Sequence, residues 1–163
     1  TTSERPDWKV WALGIAAAVA QRGDCTRRRV GAVILDRQHR IIGAGYNGTM
    51  PGGPSCLKGD CPRGRHRRAF TDNPLGPIEL CACGVPWPCP NAVAPGSSYD
   101  TGPGACIASH AEQSALADVE ARYRLNGATM YVTEEPCGGC LKQIKNTTEI
   151  VEIEWPERVI RLR

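Results

Sequence analysis

Nine of the 163 residues are cysteine, and an odd number cannot pair completely within one chain. The opening stretch, Thr1 to Lys9, carries Glu4 and Asp7 and lacks the basic-then-apolar order of a secretion signal. A cytoplasmic location is therefore expected. In that setting, this many thiols favour metal binding or catalysis over a disulfide framework. Their distribution narrows the fold further. Cys56, Cys61, Cys81, Cys83 and Cys89 lie within residues 51–104, together with 19 of the 31 glycines and prolines. No hydrophobic period survives there. A loop of that length is uncommon inside a compact domain unless it has a function or a staple. The cysteines are the obvious staple.

The flanking segments are regular. Asp7 can cap a helix running to about Gln21, with Trp8, Trp11, Ala12, Ile15 and Val19 on one face and Gly23 as its stop. Val30–Leu35 and Ile41–Tyr46 read as strands joined by the polar turn Asp36–Arg40. A second helix is expected from Ser109 to about Arg124, stopped by Asn126-Gly127. A strand over Ala128–Thr133 follows, then a helix over Cys137–Lys145. Two more strands, Ile150–Trp155 and Arg158–Arg163, are close enough for a hairpin. This order predicts an α/β fold, a mixed sheet with helices on its faces. The length suits one domain over residues 1–163, with residues 51–105 as an irregular, metal-stapled insertion. With aromatics at 6% and a single Phe, the core must be mainly aliphatic.

Other classes are excluded. The longest uncharged apolar run, Val10–Ala20, has 11 residues, too short for a membrane span. Twenty basic against 17 acidic residues give a net charge of +3, too small by itself to indicate nucleic-acid binding. Local clusters exist: Arg27-Arg28-Arg29, and four arginines among residues 63–68. Guanidinium forks suit phosphate, which marks Arg27, Arg28 and Arg65 as candidate phosphate contacts. Few aromatics flank them, so a base-stacking groove is poorly supported.

Two short motifs carry chemistry. His110-Ala111-Glu112 and Pro136-Cys137-Gly138-Gly139-Cys140 each open an expected helix. One imidazole and two thiolates supply three ligands for a tetrahedral zinc, one fewer than a structural site takes. Such a zinc makes water acidic enough to ionise near neutral pH. Glu112, two residues beyond His110, is placed to move that water's proton. A blander reading makes Ser109-His110-Ala111-Glu112 a capping box in which Glu112 only caps. That reading leaves Cys137 and Cys140 without a role.

The pattern H-A-E followed by P-C-G-G-C is the known signature of zinc nucleobase deaminases. With Cys25-Thr26-Arg27-Arg28-Arg29-Val30-Gly31-Ala32-Val33-Ile34 and Gly45-Tyr46-Asn47-Gly48-Thr49-Met50-Pro51-Gly52-Gly53, the chain resembles the cytidine and deoxycytidylate deaminase superfamily. Its deoxycytidylate branch is the closer match. The resemblance implies a three-layer α/β/α fold with a central mixed five-stranded sheet. It implies His110, Cys137 and Cys140 as zinc ligands, Glu112 as proton shuttle, and substrate contacts at Asn47, Ala111 and Pro136. The implied reaction replaces the exocyclic amine of dCMP with a carbonyl oxygen and releases ammonia. It also implies self-association, and an allosteric nucleotide is a further expected partner. In some relatives a second, structural zinc uses cysteines at the positions of Cys25 and Cys56; Cys61, Cys81, Cys83, Cys89, Cys106 and His66 are the other candidates here. This chain departs from the branch at Gln113-Ser114-Ala115-Leu116, at Ala121, and in its closing hairpin. Deamination of cytosine in single-stranded nucleic acid, or of another base, is the alternative reaction. A non-catalytic, zinc-stapled binding module is the alternative class.

Overall fold

Asp7 opens the first helix as expected: its carboxylate accepts the Val10 N–H at 2.8 Å, capping α1 (Trp8–Ala20). The computed structural model describes residues 4–94, 96–102 and 104–163; residues 1–3, Pro95 and Pro103, parts of the stretches read above, lie outside them. The chain divides into two units. One comprises the residues up to Gly23, Arg28–Asn47 and Ser109–Arg163; the other comprises Asp24–Arg27 and Gly48–Ala108.

The first unit is built on a five-stranded sheet. Its strands are β1 (Gly31–Leu35), β2 (Ile41–Tyr46), and then, after the second unit's β3 (Arg68–Thr71) and β4 (Ile78–Cys81), β5 (Thr129–Val132), β6 (Glu152–Trp155) and β7 (Arg158–Arg161). Their spatial order is β2-β1-β5-β6-β7, with β5 and β6 parallel and the other neighbours antiparallel. β1 is buried along its whole length. Alternate residues serve opposite faces, which is the period of a strand. Ala32 and Ile34, with Met130, Val132 and Ile153, pack against α3 (Ala111–Asp118) and α4 (Gly138–Thr147) through Ala111, Ala115 and Ile144. Val33, Leu35 and Tyr131 face Ala12 and Ala16 of α1. The result is the expected three-layer α/β/α arrangement around a mixed sheet.

The buried face of α1 differs from the expectation. Ala12, Ala16 and Ala20 are its buried residues, whereas Trp8 is half exposed and stacks on His39 with ring centroids 4.2 Å apart. Close approach is the reason. A Cβ on Gly31 would lie 2.0 Å from the Ala16 carbonyl oxygen, so the backbones nearly touch and only alanine fits between them. The same contact recurs on the other layer. A Cβ on Gly45 of β2 would lie 2.2 Å from the Ala115 backbone nitrogen of α3.

α3 is also shorter than expected. It stops at Asp118, Val119 turns extended (φ −70°, ψ 121°), and Arg122–Leu125 form a separate 3-10 turn. Asp118 accepts the Ala44 N–H at 3.0 Å, tying the helix end to β2, while Val119 packs over Gly43. That anchoring overrides the helical pattern that continues to Arg124. The closing hairpin forms as expected around Pro156-Glu157.

In the second unit, Asp24 gathers one loop. Its carboxylate accepts from the Ser55 hydroxyl (2.9 Å) and from the Leu57 (3.0 Å) and Cys56 (3.3 Å) amides. A short helix, α2 (Pro62–Arg65), carries the buried Arg63. That guanidinium donates to the carbonyls of Ser97, Ser98 and Gly104 and lies 4.2 Å over the Tyr99 ring. β3 and β4 pair in a hairpin that the sequence did not disclose. Among the described residues, no helix is long and apolar enough to cross a membrane.

Candidate active site and metal centres

The two chemical motifs converge at the starts of α3 and α4. His110 is the N-cap of α3 and Cys137 the N-cap of α4, where the Cys137 sulfur accepts the Cys140 N–H at 3.3 Å. A helix start suits thiolate ligands, because its free amides and positive end favour the ionised sulfur. His110 Nδ1 lies 3.6 Å from Cys137 Sγ and 3.4 Å from Cys140 Sγ. A tetrahedral zinc with bonds of about 2.0–2.1 Å to nitrogen and about 2.3 Å to sulfur requires N–S edges of about 3.6 Å. The three side chains therefore fit zinc as they stand, and no other residue joins their group among those described.

Glu112 sits beside this group without belonging to it. Its side chain is 5% exposed. Burial raises its pKa above the ordinary carboxylate value, while its own backbone amide, His110, the Cys140 thiol and Arg28 pull it back. The capping role belongs to another residue: Gln113 Oε1 accepts the His110 N–H at 3.0 Å. That bond leaves the Glu112 carboxyl free of capping duty, against the Ser109 capping-box reading. The sequence signal was present, since a Gln at the third helical position behind His110 fits a capping box one residue later.

Asn47 is held by backbone. Its Oδ1 accepts the Val30 N–H at 2.8 Å and its Nδ2 donates to the Arg28 carbonyl at 2.9 Å. Ala111 and Pro136 are buried, next in sequence to His110 and Cys137. Of the candidate phosphate contacts, Arg28 pairs with Glu134 at 3.1 Å, Arg27 donates to the Tyr99 hydroxyl at 3.1 Å, and Arg65 donates to the Gly59 carbonyl at 3.0 Å.

The remaining cysteines fall into two further groups. Cys56, Cys61 and Cys106 form one, with Cys61 and Cys106 sulfurs 3.8 Å apart. His66, Cys81, Cys83 and Cys89 form the other. Cys25, expected alongside Cys56, joins neither; its sulfur accepts the Arg27 N–H at 3.4 Å.

Comparison with known proteins decides the family. Residues 6–154 match the model of the cytidine and deoxycytidylate deaminase zinc-binding region. The chain belongs to this zinc-binding deaminase family. The deoxycytidylate deaminase of Mycobacterium phage D29 is 40% identical to it over 136 residues, 83% of this chain and 84% of that protein. The deoxycytidylate deaminase of Schizosaccharomyces pombe is 31% identical over 86% of this chain, which spans 34% of that longer protein. Among solved structures, the dCMP deaminase of cyanophage S-TIM5 in complex with dCMP and dUMP has the same fold. Its TM-score is 0.54 at 20% identity, covering 93% of this chain and 82% of that one. Zinc is the metal that this family binds, and the His110 group is among the sets of donors that could hold it.

Proposed function

We propose that this chain is a zinc-dependent deoxycytidylate deaminase, converting dCMP and water to dUMP and ammonia. A single observation carries the reading. A buried carboxyl, Glu112, with a raised pKa, stands against the Cys140 thiol beside a three-donor zinc group. The 40% identity to the D29 enzyme supports the choice of substrate.

His110 would hold zinc through Nδ1, and Cys137 and Cys140 through their sulfurs. When bound, zinc supplies Lewis acidity and makes water acidic enough to ionise near neutral pH. Glu112 takes one proton from that water as the C4–O bond forms and delivers it to N3 of the base. It then carries the second proton to the exocyclic nitrogen as the C4–N bond breaks. Ammonia leaves and a carbonyl remains at C4, so one water enters for each ammonia released. A buried carboxyl beside the thiols suits this work, because it is within reach of the reacting atoms and can both accept and return a proton. Asn47, Ala111 and Pro136 are the proposed sugar and base contacts, and Arg27, Arg28 and Arg65 the proposed phosphate contacts. We read the whole chain as one deaminase domain with an insertion, acting in the cytoplasm as a homo-oligomer open to an allosteric nucleotide.

The test is a panel of dCMP, dCTP, cytidine, AMP, GMP and a cytosine-containing single-stranded oligonucleotide, scored for ammonia release by the zinc-loaded chain. Turnover of dCMP above every other member is expected. Turnover of the oligonucleotide alone, or of none, would overturn the substrate assignment.

A further inference from the structure

We propose that His66, Cys81, Cys83 and Cys89 form a closed, four-ligand zinc site that folds the β3–β4 hairpin and takes no part in the reaction. His66 Nδ1 lies 3.6 Å from Cys89 Sγ and 3.9 Å from Cys81 Sγ, and Cys83 Sγ lies 3.9 Å from Cys89 Sγ. All four donor atoms fall within 4.8 Å of one another. Edges of about 3.6 Å between nitrogen and sulfur and about 3.8 Å between sulfurs are those of a tetrahedron around zinc. The three measured edges thus lie within about 0.3 Å of the tetrahedral values, and between them they touch all four donors of the close group. Three sulfurs and one imidazole nitrogen match the Cys3His set of structural zinc sites. A disulfide accounts for the group poorly, because it would use two thiols and leave the third and the imidazole without purpose.

The fold of the segment supplies the second argument. Between Arg65 and Ala94 the only buried residues are Cys81 and Cys89, themselves two of the four ligands. Of the large apolar side chains there, Phe70, Leu75 and Ile78 are exposed, and Leu80 and Trp87 are only half-buried. A hairpin of two four-residue strands cannot stand on its own in water. The backbone nevertheless folds tightly around the cysteines. The Cys81 amide donates to the Val85 carbonyl, the Gly84 amide to the Cys81 carbonyl, and the Ala82 amide to the Arg67 carbonyl. These bonds place the Cys81-Ala82-Cys83 corner directly beside His66. A segment with no apolar core and a convergent set of soft donors is one whose folding free energy comes from metal binding. The contrast with the His110 group lies in donor count. Four protein ligands fill a tetrahedral zinc and exclude water from it, so this site serves structure alone.

The experiment uses the full, zinc-loaded chain and alkylation by iodoacetamide with peptide mapping. Cys83 is solvent-exposed, so burial cannot shield it. Its alkylation is expected to be at least about 100-fold slower than that of the same thiol after zinc is removed by a chelator. Alkylation at the rate of a free surface thiol in the zinc-loaded chain would overturn the proposal. In parallel, the Cys83→Ser/Cys89→Ser double variant is expected to bind one zinc fewer per chain by mass spectrometry. An unchanged zinc count in a folded variant also overturns it. Should that variant fail to fold, the wild-type alkylation result decides alone. Neither readout depends on turnover, so a protected Cys83 in a chain inactive on dCMP would separate this site from the substrate assignment.

Discussion

The two units solve the same problem with different forces. The first buries an aliphatic core on both faces of its sheet; Ala32, Val33, Ile34, Met130, Val132, Ile144, Ile150 and Ile153 are all fully buried. Each valine, isoleucine or methionine among them contributes about 1.5–3 kcal/mol by leaving water. Among the described residues of the second unit, the buried hydrophobic side chains are all cysteines: Cys56, Cys61, Cys81 and Cys89. Its cohesion comes from thiols, from Asp24 and from the Arg63 carbonyl network. Composition anticipates this contrast: aliphatic runs lie outside residues 51–104, and most Gly, Pro and Cys lie inside. One region is thus stable through area, the other through bonds to a few atoms, and each should fail under a different insult.

Chelation is the strongest way to break the comparison. Structural zinc in small domains supplies about 10–16 kcal/mol of apparent binding free energy. Stripping the metal should therefore release residues 66–89 to full amide hydrogen exchange while β1 and β5 stay protected. Exchange that rises equally in both units would show that the first unit depends on metal as well. Next in size is Glu112→Ala. Loss of a general acid–base residue costs about 10²–10⁴ in rate. The variant should lose at least about 10³-fold in kcat on dCMP while keeping its zinc count and melting temperature. Retained turnover would remove Glu112 from proton transfer.

A matched pair of truncations then compares the two cohesive forces. Ile153→Ala, in the fully buried part of β6, should cost about 3 kcal/mol in chemical denaturation. Phe70→Ala, on the exposed β3, should stay within about 0.5 kcal/mol despite removing a larger group. Equal costs would mean that the hairpin hides an apolar core after all. The smallest effect concerns charge. Burial first, and neighbouring Glu152 second, push Glu154 up to about 7. Lys9, 3.9 Å away, opposes this but does not prevail. The folded chain then holds a proton that the unfolded chain releases near pH 4.5, so stability falls as pH rises from about 4.5 to about 7. Glu154→Gln should be more stable than the parent by about 1 kcal/mol at pH 8, screening included, and indistinguishable at pH 4. A pH-independent difference would remove that carboxyl as the cause.

Legibility follows the same division. Ile41–Tyr46 is a strand with the bounds its apolar run suggests, and Asp7 and Pro156-Glu157 perform their local tasks. These signals are short-range, so sequence carries them. The grouping of His110, Cys137 and Cys140 was legible because their types and spacing state a chemistry, whatever the fold around them. What escaped depends on contacts distant in sequence. On α1 the core positions went to Ala12, Ala16 and Ala20, and the backbone of Gly31 comes too close to Ala16 and Ala20 for larger side chains between them. The helix ended at Asp118 because Ala44, on another strand, supplied a better partner. The β3–β4 hairpin has strands of four residues each, so its one alternation, Ile78 and Leu80 on either side of Glu79, is too short to stand out as a period. C-x-C-x5-C was visible as a spacing, but His66 could be assigned to that set only by geometry.

The near contact of Gly45 with α3 has a practical consequence for redesign. His110 and Glu112 sit at the start of that helix, so any side chain at position 45 would lift the proposed ligand and the proposed base together. Libraries meant to change substrate preference should leave position 45 fixed and vary the loops. Drift there would shift metal grip and proton transfer at once, and screening on turnover alone would not tell the two apart.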